Sequence, residues 1–497
     1  MSVPFDPTIT DLATLMERGE ASAESIAAHY LERIERLDRD GPRLHSVLEV
    51  NPDALAIARE RDEERLRGEA RGPLHGVPVL LKANIDTGDR MTTTAGSLAL
   101  AGHRARHDAF LVAQLRRAGA VVLGKTNLSE WANFRSTRSA SGWSSEGGQV
   151  RNPHALDRSP CGSSSGSGAA VAADLAPAAI GTETDGSITC PSAVNGIVGF
   201  KPTIGLVSRS GIIPIAASQD TAGPMTKTVE DAALLMDAMI GVDDADAATT
   251  AVRERGPWDV RGALTRGVRG ARLGVMRAAF GVHERAAEVG EAALETLRGL
   301  GAEIVEGVDL KGVDAVREDE LTVLLYEFRL GLDAYLAEHP DAPVRSLEEV
   351  VAFNRAQAER VMPYFGQELF ERALEGGAME EGAYREARAR CLRAARDEGI
   401  DRVLRELRLD AIVAPSTGPA WVIDPIAGDR SLGGAWSMSA IAGYPHVTVP
   451  AGGAFGLPLG VSFFAGAFAD ASVLAFAHAF ERATRARVAP SFAERVA

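Results

Sequence analysis

The chain has 497 residues, 45% hydrophobic and 24% charged, a globular balance in a length that buries a large core without disulfide or metal support. A formal net charge of −15 argues against a nucleic-acid partner, because phosphate binding draws on basic patches. Three cysteines, Cys161, Cys190 and Cys391, are too few and odd in number for a disulfide framework, and no CxxC or HExxH spacing suggests a metal site.

The N-terminal residues lack a basic region followed by an apolar core, so no signal peptide is expected. No stretch approaches the roughly 18 uncharged apolar residues of a membrane span. A cytoplasmic enzyme is the expectation, and the oligomeric state is left open.

In chain order, Asp11 to Arg67 follows a helical pattern, with Leu12, Leu15 and Met16, then Ile26, Tyr30, Leu31 and Ile34, at helix spacing. The run Gly76–Lys82 is short, apolar and ends in a lysine, as a buried strand does. Val112–Ala118 reads as a helix and Ala120–Gly124 as the next strand, an alternation that predicts an α/β fold.

Ser136 to Gly186 is rich in Ser and Gly. Apolar segments interrupt it, a helix at Ala169–Leu175 and a strand at Ala178–Thr182, so its small residues mark close backbone approach rather than a linker. Thr228 caps a helix that runs to Ile240, and Val242–Arg266 reads as a polar surface loop. A strand at Leu273–Met276 and a helix at Glu284–Leu300 follow. Residues 313–407 are helical and heavily charged, a helical cover with no chemical signature of its own. Asp410–Pro415, His446–Pro450 and Leu459–Phe464 read as strands, and Ser472–Arg487 as the last helix. The expected fold is therefore one large α/β domain, with a central mixed sheet flanked by helices on both faces and a cover over about 313–407.

Two segments carry candidate chemistry, Cys161-Gly-Ser-Ser-Ser-Gly-Ser-Gly-Ala-Ala170 and Gly181-Thr-Glu-Thr-Asp-Gly-Ser-Ile-Thr-Cys-Pro191. Three readings stand side by side. Phosphate binding by a Gly-rich loop lacks the terminal Gly-Lys-Ser/Thr and the GxGxxG spacing. A plain turn-rich loop accounts for Ser and Gly without function. Nucleophilic catalysis needs a base beside a serine. None of the ten histidines sits in such a setting and no GxSxG elbow is present, which leaves a Ser–Lys arrangement. That chemistry requires a lysine sheltered from water, so that its neutral amine exists near neutral pH. Lys82, ending an apolar strand, is the best candidate; the alternative is an ordinary surface lysine, and burial separates the two.

Together these residues resemble the amidase signature family. The resemblance spans nearly the whole chain and includes Lys82-Ala-Asn84, both Ser/Gly segments, Gly124–Glu130, Gly196–Pro202, Asp220–Pro224 and the strand Pro458–Ala465. It implies core motifs over 76–232 and 410–487, and a Ser–Ser–Lys triad. Ser187 would be the nucleophile, Ser163 the bridging serine after a cis peptide bond from Gly162, and Lys82 the base. The same resemblance puts the oxyanion hole at the backbone N–H groups of Thr184, Asp185, Gly186 and Ser187. It implies amide hydrolysis without cofactor or metal, on a small-molecule or peptide amide.

Two departures from the family pattern stand out. Asp185 replaces the first of two glycines before the nucleophile. Thr189 and Cys190 stand where many members carry an arginine, which removes a carboxylate clamp and weakens the case for an amidotransferase subunit. The closest likeness within the family is to peptide amidases, which release ammonia from C-terminal carboxamides. A broad aryl or alkyl acylamidase is the enzymatic alternative, and a non-catalytic scaffold the alternative of another class.

Overall fold

The computed structural model describes residues 3–310, 313–375 and 381–496. Its strands, in chain order, are β1 (Val47–Val50), β2 (Pro78–Lys82), β3 (Val121–Thr126), β4 (Trp143–Ser144), β5 (Gly148–Gln149), β6 (Ala178–Glu183) and β7 (Val198–Lys201). After these come β8 (Thr221–Thr226), β9 (Arg272–Val275), β10 (Glu303–Val305), β11 (Ala411–Pro415), β12 (His446–Ala454) and β13 (Leu457–Phe464). Among the described residues, eleven of them form one sheet in the order β1-β3-β2-β6-β8-β7-β12-β13-β11-β9-β10, and β4 pairs with β5 apart from it.

The sheet is mixed. β2 runs parallel to β3 and β6, and β9 parallel to β10 and β11, while the remaining pairs are antiparallel. β2, β3, β6 and β11 are buried at every position, which is why they read as unbroken apolar runs rather than as alternating ones.

Helices Ser165–Ala172 and Thr189–Asn195 pack on each other and on the central strands. A second set, Phe110–Arg117, Val229–Met239 and Asp470–Thr484, packs against the sheet and on itself. As the sequence predicts, Thr228 caps its helix, its hydroxyl accepting the Asp231 N–H.

Three local readings need correction. The segment Asp11–Arg67 is interrupted by β1, a four-residue edge strand too short to show a period of its own. β7, β8 and β10 escape sequence reading; β8 contains Gly223-Pro224, a pair that strand interiors disfavour, and both neighbours in the sheet supply its context. Residues 242–266 are not a plain loop but carry the short helices Thr250–Arg255 and Val260–Ala263, with Val260, Ala263 and Leu264 buried.

The described residues within 313–375 and 381–407 are mostly helical, led by Val313–Glu338, Leu347–Ala356, Glu368–Glu375 and Glu381–Leu392. They hold a separate apolar cluster in which Phe328, Leu332, Leu336, Leu347, Val350 and Phe370 pack with Ala95, Leu100, Trp131 and Ile213 of the sheet-bearing part. No described helix is long and apolar enough to cross a membrane.

Candidate active site

The site grows from the carboxyl ends of β2 and β6, where parallel α/β strands open a crevice between their following loops. Leu80 and Leu81 pair with Ala179 and Ile180, so Lys82, one residue past Leu81, comes beside the end of β6, where Thr182 lies two residues past Ile180. Lys82 is fully buried. Its Nζ donates to Ser163 Oγ at 2.7 Å, to Thr182 Oγ1 at 2.8 Å and to the Thr182 carbonyl at 3.2 Å. Loss of water around the amine pushes its pKa down to about 7, with Asp220 and Glu183 pulling the other way. Much of the Lys82 population can then be a neutral base near pH 7.

Lys125 and Lys201 are also buried, and burial pushes each down to about 8. Lys125 is held by the Ile85 carbonyl and Thr93, and Lys201 by the Pro202 carbonyl. Of the three, Lys82 is the one whose amine meets a serine hydroxyl.

Ser163 follows a cis peptide bond from Gly162 and is fully buried. Ser164 fastens this loop to β6, its Oγ donating to the Thr182 carbonyl at 3.0 Å and accepting the Thr182 N–H at 3.2 Å. Ser165 Oγ donates to the Cys161 carbonyl at 2.6 Å. Both serines act as loop hydrogen bonders.

Ser187 sits in the turn between β6 and the helix Thr189–Asn195 and is 8% exposed, whereas Lys82 and Ser163 are at 0%. Its carbonyl accepts the Ser164 N–H at 3.1 Å, which lashes this turn to the Ser163 loop. Among the described residues, nothing accepts from the N–H groups of Thr184, Asp185, Gly186 or Ser187. Consecutive unpaired donors of this kind are available to a developing oxyanion. Gly186 has φ +80°, and a Cβ there would lie 2.5 Å from the Trp436 ring, so both conformation and space require glycine.

Residues that sequence reasoning left without a role hold this turn. Glu183 Oε2 accepts the N–H groups of Ile188 (2.7 Å) and Thr189 (2.8 Å) and the Thr189 hydroxyl (3.0 Å), capping the helix after Ser187. Asp220 accepts the Thr184 hydroxyl at 2.5 Å and the N–H groups of Ile215 and Ala216; burial pushes its pKa up to about 6. An acid just ahead of a helix start was the available sign for Glu183; Asp220 stood only within the family likeness over Asp220–Pro224, and its hydrogen-bond partners Thr184, Ile215 and Ala216 were not readable from it.

Asp185 keeps some exposed surface, but its carboxyl Oδ1 is buried and makes no hydrogen bond with a described residue, while Oδ2 accepts from Ser437 at 3.0 Å. Burial, reinforced by Glu320 and Glu183, raises its pKa well above the usual carboxylate range. Glu320 comes from the cover helix Val313–Glu338, accepts from Gln219 at 3.0 Å, and is itself pushed up by burial. Gln219 also donates to the Thr184 carbonyl at 3.3 Å.

The cysteines form no disulfide framework, as expected, but they do supply one bridge that the sequence reading did not foresee. Cys161 and Cys190 form a disulfide, and Cys391 is free and buried. Their sequence separation of 29 gives no hint of pairing, because the bridge depends on the Ser163 loop and the Ser187 helix lying side by side.

Residues 25–474 match the family model described as Amidase. A probable amidase of Arabidopsis thaliana is 39% identical over 98% of this chain and 92% of its own length. The native peptide amidase of Stenotrophomonas maltophilia superposes with a TM-score of 0.92 at 50% identity, covering 98% of this chain and 99% of that one. A glutamyl-tRNA(Gln) amidotransferase subunit of Halorhodospira halophila is 36% identical over 96% of this chain and 97% of its own.

Proposed function

The chain belongs to the amidase family and is an amide-hydrolysing enzyme, and from that premise we propose that it deamidates C-terminal peptide carboxamides through Lys82, Ser163 and Ser187. The observation that carries the chemistry is the 2.7 Å contact between a fully buried Lys82 amine and Ser163. The likeness to the Stenotrophomonas peptide amidase at 50% identity supports the substrate.

In this reading neutral Lys82 accepts the proton of Ser163, which accepts that of Ser187. Ser187 Oγ bonds to the carboxamide carbon, and the N–H groups of Thr184 to Ser187 receive the oxyanion. The C–N bond breaks as Ser163 returns its proton to nitrogen, and ammonia leaves. Water then splits the acyl ester, giving the peptide carboxylate and restoring the Ser187 hydroxyl.

The Halorhodospira relative raises an amidotransferase role. Here the positions that would offer an arginine clamp are occupied otherwise: Thr189 is bound by Glu183 and Cys190 by Cys161. Neither is free to hold an acidic substrate.

The test is ammonia release from a panel of peptide amides, with anilides, alkyl amides and free glutamine as controls. Release from peptide amides at a kcat/KM well above every control is expected. Preference for anilides would replace the substrate with that of an acylamidase. Equal labelling of the wild type and Ser187→Ala by a serine-directed phosphonyl fluoride would remove Ser187 from the mechanism.

A further inference from the structure

Away from Lys82 and the two serines, three side chains distant in sequence converge on one point. Asp86 lies in the loop after β2, His103 in the following loop, and His339 just beyond the cover helix Val313–Glu338. Asp86 and His103 are each 2% exposed, and the His339 side chain is 12% exposed. One donor atom from each lies within 4.8 Å of the others. Four-coordinate zinc, with bonds of about 2.1 Å, needs donors about 3.4 Å apart. The Asp86 Oδ2–His339 Nε2 separation is already 3.1 Å.

The surrounding contacts orient these groups as ligands. His339 Nδ1 donates to the Tyr335 carbonyl at 2.8 Å, which turns Nε2 toward Asp86. An imidazole that gives its far N–H to a backbone carbonyl is the usual arrangement of a metal-bound histidine. Tyr335 Oη donates to Asp86 Oδ1 at 2.8 Å and leaves Oδ2 facing His339. His103 Nε2 stands 3.5 Å from Tyr335 Oη, and its Nδ1 is buried without a partner among the described residues. The two imidazoles are perpendicular, with centroids 5.1 Å apart.

We propose that Asp86, His103 and His339 form a binding site for a divalent transition-metal cation of the zinc class, which clasps the cover to the segment that follows β2. Two imidazoles and one carboxylate suit such an ion and leave a position for water. The ion takes no part in amide cleavage. It joins the far end of the Val313–Glu338 helix to a loop that begins just past Lys82, and so fixes the seat of the cover. No spacing motif announces it, because its ligands come from three separate segments.

The experiment uses the full chain, stripped with a chelator and titrated with Zn²⁺ alone by calorimetry, then with Co²⁺ followed by visible absorption. One equivalent of Zn²⁺ and Co²⁺ ligand-field bands of nitrogen–oxygen coordination are expected. At about a hundredfold excess over Kd, Zn²⁺ should raise the melting midpoint by about 2–3 °C. His339→Ala should weaken binding at least about tenfold, whereas His107→Ala, at an exposed histidine, should bind as the wild type does. Asp86→Asn should weaken binding likewise; if it fails to fold, His339→Ala, at the rim of the cluster, carries the test. Absence of stoichiometric Zn²⁺ binding, or equal binding by wild type and His339→Ala, overturns the proposal and leaves the cluster a buried ion pair.

Discussion

From Ser159 to Thr203 every residue is buried except Gly162 and Asp185, which are partly exposed and lie beside Ser163 and close to Ser187. The described residues of the cover, 313–375 and 381–407, differ: exposed and buried positions alternate along their helices, and their apolar side chains pack in separate clusters, one with Trp131 and Ile213 and another with Ile412 and Met438. In the first region small residues let backbones approach, so almost any side chain added there collides with another; a Cβ on Gly162, Gly166 or Gly181 meets an atom within 3 Å. In the second, charged helix faces tolerate change and a few contacts do the docking. Gln219 bridges the two regions, donating to the Thr184 carbonyl and to Glu320, and a second buried contact seats the cover on the segment after β3. Arg135 pairs with Glu130 at 2.5 Å, both side chains fully buried, and donates to the Val361 carbonyl while stacking over Phe365 of the cover. The difference implies that changes in the core alter turnover, whereas changes in the cover alter stability and substrate binding.

The largest test of that division is Ser187→Ala. It should lower kcat by about 10⁴- to 10⁶-fold with the fold intact by circular dichroism, because the proposed nucleophile belongs to a unit whose members fail together. Next, Lys82→Ala should lower kcat by about 10³- to 10⁴-fold with little change in KM, since the base acts on the transition state. The wild-type pH profile bears on the same residue. With Lys82 at about 7 and its neutral amine the active form, kcat/KM should rise about tenfold per unit below pH 7 and level off above it. A flat profile between pH 5 and 9 contradicts a lysine base.

Arg135→Ala probes the seat of the cover. Leaving Glu130 buried and unpaired should cost about 3–5 kcal/mol, read by denaturant unfolding. A loss of kcat in the folded variant as large as that of Lys82→Ala would erase the division. Reduction of the Cys161–Cys190 bridge, or its double replacement by serine, should cost about 3–4 kcal/mol from freeing a loop of this length. Because it joins the two serine-bearing segments, it should also lower kcat, which a purely entropic staple would not. The smallest effect belongs to Glu320→Gln. Weakening one hydrogen bond to Gln219 should raise KM about fivefold at nearly constant kcat.

How much was legible differs between the same two regions. Lys82, Ser163 and Ser187 were readable because they sit in or beside distinctive runs, an apolar strand and two dense stretches of Gly and Ser, whose order along the chain is characteristic. Glu183 lay in plain sight within such a run, but its part as the cap of the next helix needed the turn to be seen. Asp220 stood within a segment of the family likeness but its role did not, and Glu320 was invisible, since an acid means little until its neighbours are known. The cover showed helical periodicity and nothing more.

What the sequence alone determined is the alternation of buried strands and helices, the family likeness, and the identity of the residues proposed for catalysis. These follow from local pattern: apolar runs, caps, and glycines where backbones must touch. Tertiary structure alone decided that the Lys82 amine loses its water, that Cys161 and Cys190 meet, and that Asp86, His103 and His339 share one point. Each of these depends on distances between segments far apart along the chain, and desolvation, bridge formation and ligation are all set by distance rather than by order.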